Sequence, residues 1–185
     1  MAREAESLVF NGRWVKLAHQ LLDEGYSLTL STFRISMWED EETMDVRSFL
    51  ANEWSSDELT LVVGLPDNNI QAELMLHFCS QYPTINWQFQ FRWHAKYLLA
   101  KRGREIVGYL GSHNFTYSNW CDVSIRLTRD QYHAIKKFHD SRQFLTLDAA
   151  RASIQSQREN NRIGFERLRD ELASAAKSVV HKVQT

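Results

Sequence analysis

A histidine and a lysine two residues apart, His94 and Lys96, followed by Gly111-Ser112-His113-Asn114, are the residues of this chain best equipped for chemistry. On an extended strand, residues i and i+2 share a face, so this spacing sets an imidazole beside an ammonium. The Gly-Ser-x-Asn turn adds a hydroxyl, an amide and backbone N–H groups. A nucleophile-capable imidazole, one fixed cation and several neutral donors suit displacement at a phosphodiester without a metal. In that chemistry Lys96 would clamp non-bridging oxygens, Asn114 would add a neutral donor, and Ser112 with the backbone at Gly111 would complete the cradle.

The order and spacing of the two pieces resemble the His-x-Lys…Gly-Ser-x-Asn signature of the phospholipase D superfamily. Within it they look most like the small nucleases that carry one copy. The resemblance covers roughly residues 26–140 and implies that His94 attacks phosphorus to form a phosphohistidine. A second histidine then protonates the leaving oxygen, and water later releases the product. This divides one hard displacement into two easier ones and needs two motif copies in each active site. No second copy follows in the chain, and His133-Ala134-Ile135-Lys136 has the wrong spacing. One motif per chain therefore implies a homodimer, since a two-fold axis brings two copies of one patch together.

Two positions depart from the family. Lys101 stands where its motif usually has an aspartate, and Asp122 stands near the place of a glutamate that holds the histidine's other ring nitrogen. These departures keep an alternative open: a degenerate copy that holds nucleic acid or a protein partner without cutting. The expected substrate is nucleic acid, DNA ahead of RNA, with no cofactor and no metal.

Charge distribution points the same way. Arg92, Lys96, Lys101, Arg102 and Arg104 lie together without an acid among them, whereas Glu39-Asp40-Glu41-Glu42 and Asp45 lie far off in sequence. With a net charge of −1 the chain is not a bulk polycation, but a basic strip beside the motif would neutralise phosphates. Arg92, Lys101, Arg102 and Arg104 are thus candidate substrate contacts, as is Trp93, whose indole could stack on a base.

Other chemistries are poorly supported. His77, Cys79 and Cys121 hint at a metal, yet i and i+2 on a helix do not share a face, and buried thiols fit better. A serine-hydrolase elbow and the dinucleotide and Walker glycine patterns are missing. Two cysteines give no disulfide framework and suit a reducing cytoplasm. No apolar run nears the roughly 18 residues that cross a bilayer, and the N-terminal residues lack an apolar signal core. No membrane association is expected.

At 185 residues, 43% hydrophobic and 12% aromatic, the chain can bury a single core. Apolar spacing of three and four predicts helices over 13–24, 45–54, 71–80 and 130–140. Strands are expected over 26–35, 59–64, 85–91, 97–100, 105–110 and 122–127, with Lys101-Arg102-Gly103-Arg104 as a hairpin tip. The expected fold is α/β: a phospholipase D-like half with a mixed, largely parallel sheet flanked by helices. Residues 1–148 form the catalytic domain and 149–185 a helical tail. Leu168, Leu172, Ala175 and Val179 fall at helical spacing there, a stripe that could pack on its own domain, pair with a second subunit or dock another protein.

Overall fold

Leu59–Leu65 (β3) is buried along its length apart from the half-buried Thr60, the pattern of an inner strand covered on both faces. Its neighbours are parallel: Ser27–Thr32 (β2) on one side and Asn86–Phe91 (β4) on the other. Tyr97–Arg102 (β5) pairs antiparallel with β2 and turns into Glu105–Gly111 (β6). Val123–Arg126 (β7) and Leu8–Phe10 (β1) extend that side, both antiparallel. The sheet order is β1-β7-β6-β5-β2-β3-β4. The computed structural model describes residues 8–10, 14–33, 35, 46–112 and 123–183.

The α/β class and the flanking helices are as expected. The parallel part is confined to β2-β3-β4, because only there does a helical crossover separate neighbouring strands. Val46–Leu50 (α2) leads into β3, and Asn69–Cys79 (α3) joins β3 to β4. Asn68 caps α3, its side chain accepting from the N–H groups of Ile70 and Gln71. Arg129–Asp140 (α4) opens with a reciprocal capping box between Thr128 and Gln131.

The alternation of β5 divides the core in two. Leu98 and Ala100 join Leu30, Leu61, Val63 and Phe89 beneath Trp14–Asp23 (α1), α2, α3 and the start of the last helix. Tyr97 and Leu99 face the other way, toward Val62, Trp93 and Tyr132 of α4. The result is three layers, with the sheet in the middle.

That last helix, Leu147–Val183 (α5), is one continuous element. Ala150 and Ile154 are buried in the main core, while every residue from Gln155 to Arg169 is exposed. The part expected as a tail is thus anchored by its first two turns.

Candidate active site

The segment between β4 and β5 carries Trp93, His94, Ala95 and Lys96. It is a link, not the strand expected for the His-x-Lys pair. Alternate residues of the link nonetheless do different jobs. The Trp93 indole N–H donates to the Ser31 hydroxyl at 2.7 Å, and that hydroxyl donates to the Ala95 carbonyl at 2.7 Å. Trp93 stacks on Phe138 of α4, ring centroids 5.7 Å apart, and meets Phe144 edge-on at 5.3 Å. The Gly111 N–H donates to the Lys96 carbonyl at 3.2 Å, tying the link to the end of β6.

His94 points out to solvent and lies flat on Phe33, with centroids 3.9 Å apart and planes 19° from parallel. The Lys96 ammonium is 5.9 Å from the centroid of the same ring and donates to the His94 carbonyl at 3.1 Å. Both side chains therefore reach the same Phe33 ring, although the segment that carries them is not a strand. Phe33 follows the last residue of β2. At the matching end of β3, a Cβ on Gly64 would come within 2.3 Å of the Trp93 carbonyl oxygen and 2.7 Å of the Phe33 ring. Only a residue without a side chain lets the link and the platform close over the sheet.

Neither Phe33 nor Gly64 was among the expected site residues. The signal that points to them is topological. Ligands of open α/β sheets bind beyond the carboxyl ends of the parallel strands, and Phe33, Gly64 and Arg92 mark those ends of β2, β3 and β4.

Several expected contacts take different roles. Trp93 is 6% exposed, so it anchors the link and offers no face to a base. Gly111 spends its N–H on Lys96, which makes it a positioning residue. Ser112 follows on the surface at the same end of the sheet. Asn114 and Asp122 lie outside the described residues.

The basic strip separates into two groups. Arg92 sits at the His94 end, paired with Asp67 at 3.2 Å; both side chains are more than half exposed, so the pair contributes little. Its φ of 56° is left-handed, a conformation that costs a non-glycine residue on the order of 1 kcal/mol. Lys101, Arg102 and Arg104 are instead at the far tip of the β5–β6 hairpin, where Gly103 supplies the positive φ of 58°. Five residue steps separate Arg102 from Tyr97, about 16 Å of strand. Arg102 is also engaged. It pairs with Glu105 at 2.7 Å, donates to the Glu24 carbonyl at 2.6 Å and lies 4.6 Å over the Tyr26 ring. The hydrogen bond from Arg102 holds the Glu105 carboxyl below its ordinary range. The structure thus removes these three cations from the neighbourhood of His94, because the hairpin carries them away along its own length.

Behind the link lies a buried pair, the Tyr97 hydroxyl and His139 Nδ1, 2.8 Å apart. Burial pushes the tyrosine up and the histidine down, so both stay neutral. Burial likewise raises the Cys79 thiol. Among the described residues, no three His, Cys, Asp or Glu side chains gather as metal ligands.

No family model matches this chain, and no curated protein does. Among solved structures, the polyphosphate kinase of Porphyromonas gingivalis superposes with a TM-score of 0.51 at 14% identity. The match takes in 77% of this chain and 28% of that one. This likeness is one of fold, a mixed α/β sheet flanked by helices. No described helix is long and apolar enough to cross a membrane.

Proposed function

We propose that this protein is a metal-independent phosphodiesterase that cleaves nucleic acid, DNA ahead of RNA, through a phosphohistidine on His94, and that it works as a homodimer. The observation that carries the reading is the convergence of His94 and Lys96 on Phe33 beyond the ends of the parallel strands. His94 would attack phosphorus, forming the P–N bond as the P–O bond to the leaving group breaks. The partner's His94 would give its proton to the departing oxygen. Water would then displace the histidine from phosphorus, passing a proton to the imidazole that had acted as acid. Lys96 would hold the non-bridging oxygens through both steps, with Ser112 and Asn114 as neutral donors. The structural neighbour is by its name a kinase, so the fold serves phosphoryl transfer there. A cytoplasmic setting suits the buried thiol of Cys79.

The second reading, a copy that binds without cutting, draws on Lys101 in place of an aspartate, on Asp122 and on the near-neutral net charge of −1. Lys101 lies near the hairpin tip, remote from His94, so its charge does not bear on the reacting groups, which supports the cutting reading. Plasmid and single-stranded DNA incubated with the protein in excess EDTA distinguish the two. Cleavage supports the enzyme, and binding without cleavage supports the module. Activity lost on chelation and restored by a divalent ion would overturn the proposed chemistry.

A further inference from the structure

Ser31 is a polar residue in an apolar place. It lies near the end of β2, fully buried, with Val62 of β3 on one side and Tyr97 of β5 on the other. Strand alternation turns it away from Leu28 and Leu30 and toward the cluster of Val62, Trp93, Tyr97 and Leu99 under α4. An alanine or a valine would fill such a position, and a buried hydroxyl costs free energy unless it is bonded. This one makes two bonds to a single segment. It accepts from the Trp93 indole N–H and donates to the Ala95 carbonyl, each at 2.7 Å.

The two bonds fall on either side of His94. Trp93 is held further by Phe138 and Phe144, and the Lys96 carbonyl by the Gly111 N–H. With positions 93, 95 and 96 pinned, the backbone of His94 has little freedom left. The link is not a strand and has no ladder of its own to do this. Phe33 supports the ring from outside, and Ser31 holds the chain that carries it.

Ser27 supplies the comparison. It lies on the same face of β2, four residues earlier, and its hydroxyl donates to the Lys101 carbonyl at 3.1 Å. That bond is exposed and sits at the hairpin end, remote from His94. What distinguishes Ser31 is where its bonds land.

We propose that Ser31 is a positioning residue for His94, its one hydroxyl bracketing the histidine and fixing where the imidazole stands. This rests on the reading of His94 as the nucleophile and adds the group that holds it in line. Attack at phosphorus needs the ring nitrogen in one place, and a displacement of about 1 Å can cost about a hundredfold in rate. Ser31 is buried and meets no substrate, so binding does not depend on it.

The test compares Ser31→Ala, Ser31→Cys and Ser27→Ala in the full chain. Cysteine nearly keeps the volume and weakens both bonds. One readout is steady-state cleavage of a short oligonucleotide in excess EDTA. The other needs no activity: the NMR shifts of the His94 ring protons, which the face of Phe33 displaces, assigned by their loss in His94→Ala protein. Ser31→Ala is expected to lower kcat by about ten- to a hundredfold at unchanged KM, and to carry the ring signals toward those of an unstacked histidine. Ser31→Cys should fall between, and Ser27→Ala should match the wild type in both. If Ser31→Ala does not fold, the cysteine variant carries the same comparison. Wild-type ring signals in a folded Ser31 variant overturn the proposal, whatever its rate. Equal displacement by Ser27→Ala also overturns it, since any loosening of β2 would then suffice. Displaced ring signals with wild-type kcat leave Ser31 as the support of His94 and overturn His94 as nucleophile instead.

Discussion

Phe33 lies face to face with His94, ring centroids 3.9 Å apart, and this contact fixes the orientation of the exposed imidazole. The phenylalanine belongs to the end of β2, sixty-one positions before the histidine. Replacing it with a flexible aliphatic group should loosen the ring without removing any reacting atom. Phe33→Leu is expected to lower kcat by about tenfold or more, with KM little changed, because orientation is lost and binding groups are kept. Steady-state cleavage of a short oligonucleotide checks this; a raised KM at constant kcat would make Phe33 a binding residue instead.

Gly64 is the second support. A methyl group there meets the Trp93 carbonyl oxygen at 2.3 Å, and backbone cannot swing aside as a side chain can. Gly64→Ala should cost about 1–3 kcal/mol of stability and displace the His94 link. A lowered melting temperature together with reduced cleavage is expected. Wild-type values for both would show that the link does not close over β3.

The division of the basic residues makes a paired comparison decisive. Arg92→Asn removes a cation at the His94 end and relieves a left-handed backbone that asparagine tolerates. It should weaken DNA binding and flatten its salt dependence by about one phosphate contact. Lys101→Ala, at the hairpin tip, should change neither. Fluorescence anisotropy over a salt series measures both, and equal losses from the two variants would mean that DNA runs the length of the hairpin.

Much of this architecture is legible in the sequence, and the exceptions share a cause. The helices over α1, α3 and α4 and the strands β3 to β6 follow from local periodicity and turn residues, and the His-x-Lys pair is recognisable because it is local. Phe33 and Gly64 acquire their roles only when β2 and β3 align in parallel, and no nearby residue encodes that pairing. Arg102 looks like part of a basic strip in one dimension. The two-residue turn at Gly103 then takes it down the hairpin to Glu105 and Tyr26. β1 is three residues long and is a strand only because β7 lies beside it.

His139 gives the molecule a pH dependence of stability that is independent of catalysis. It is buried, shares a hydrogen bond with the Tyr97 hydroxyl and stacks on Phe144, with Lys136 and Asp140 of its own helix nearby. Burial chiefly, helped by Lys136, lowers its folded pKa below the unfolded value of about 6.5. The unfolded chain therefore binds the proton more readily. The stabilising contribution is complete above about pH 6.5 and is lost as pH falls from there through the folded pKa. Denaturant midpoints between pH 5 and 8 should drop on the acid side, and His139→Gln should flatten that drop. A midpoint that rises toward pH 5 would contradict it.

The central claim, that His94 itself attacks phosphorus, is tested most directly by His94→Ala in one experiment that reads cleavage and DNA binding together in excess EDTA. The side chain is exposed, so the variant should fold normally. Turnover should fall by at least about a thousandfold, as loss of a nucleophile does, while affinity for DNA stays close to wild type. Cleavage at the wild-type rate by folded His94→Ala protein would contradict the account.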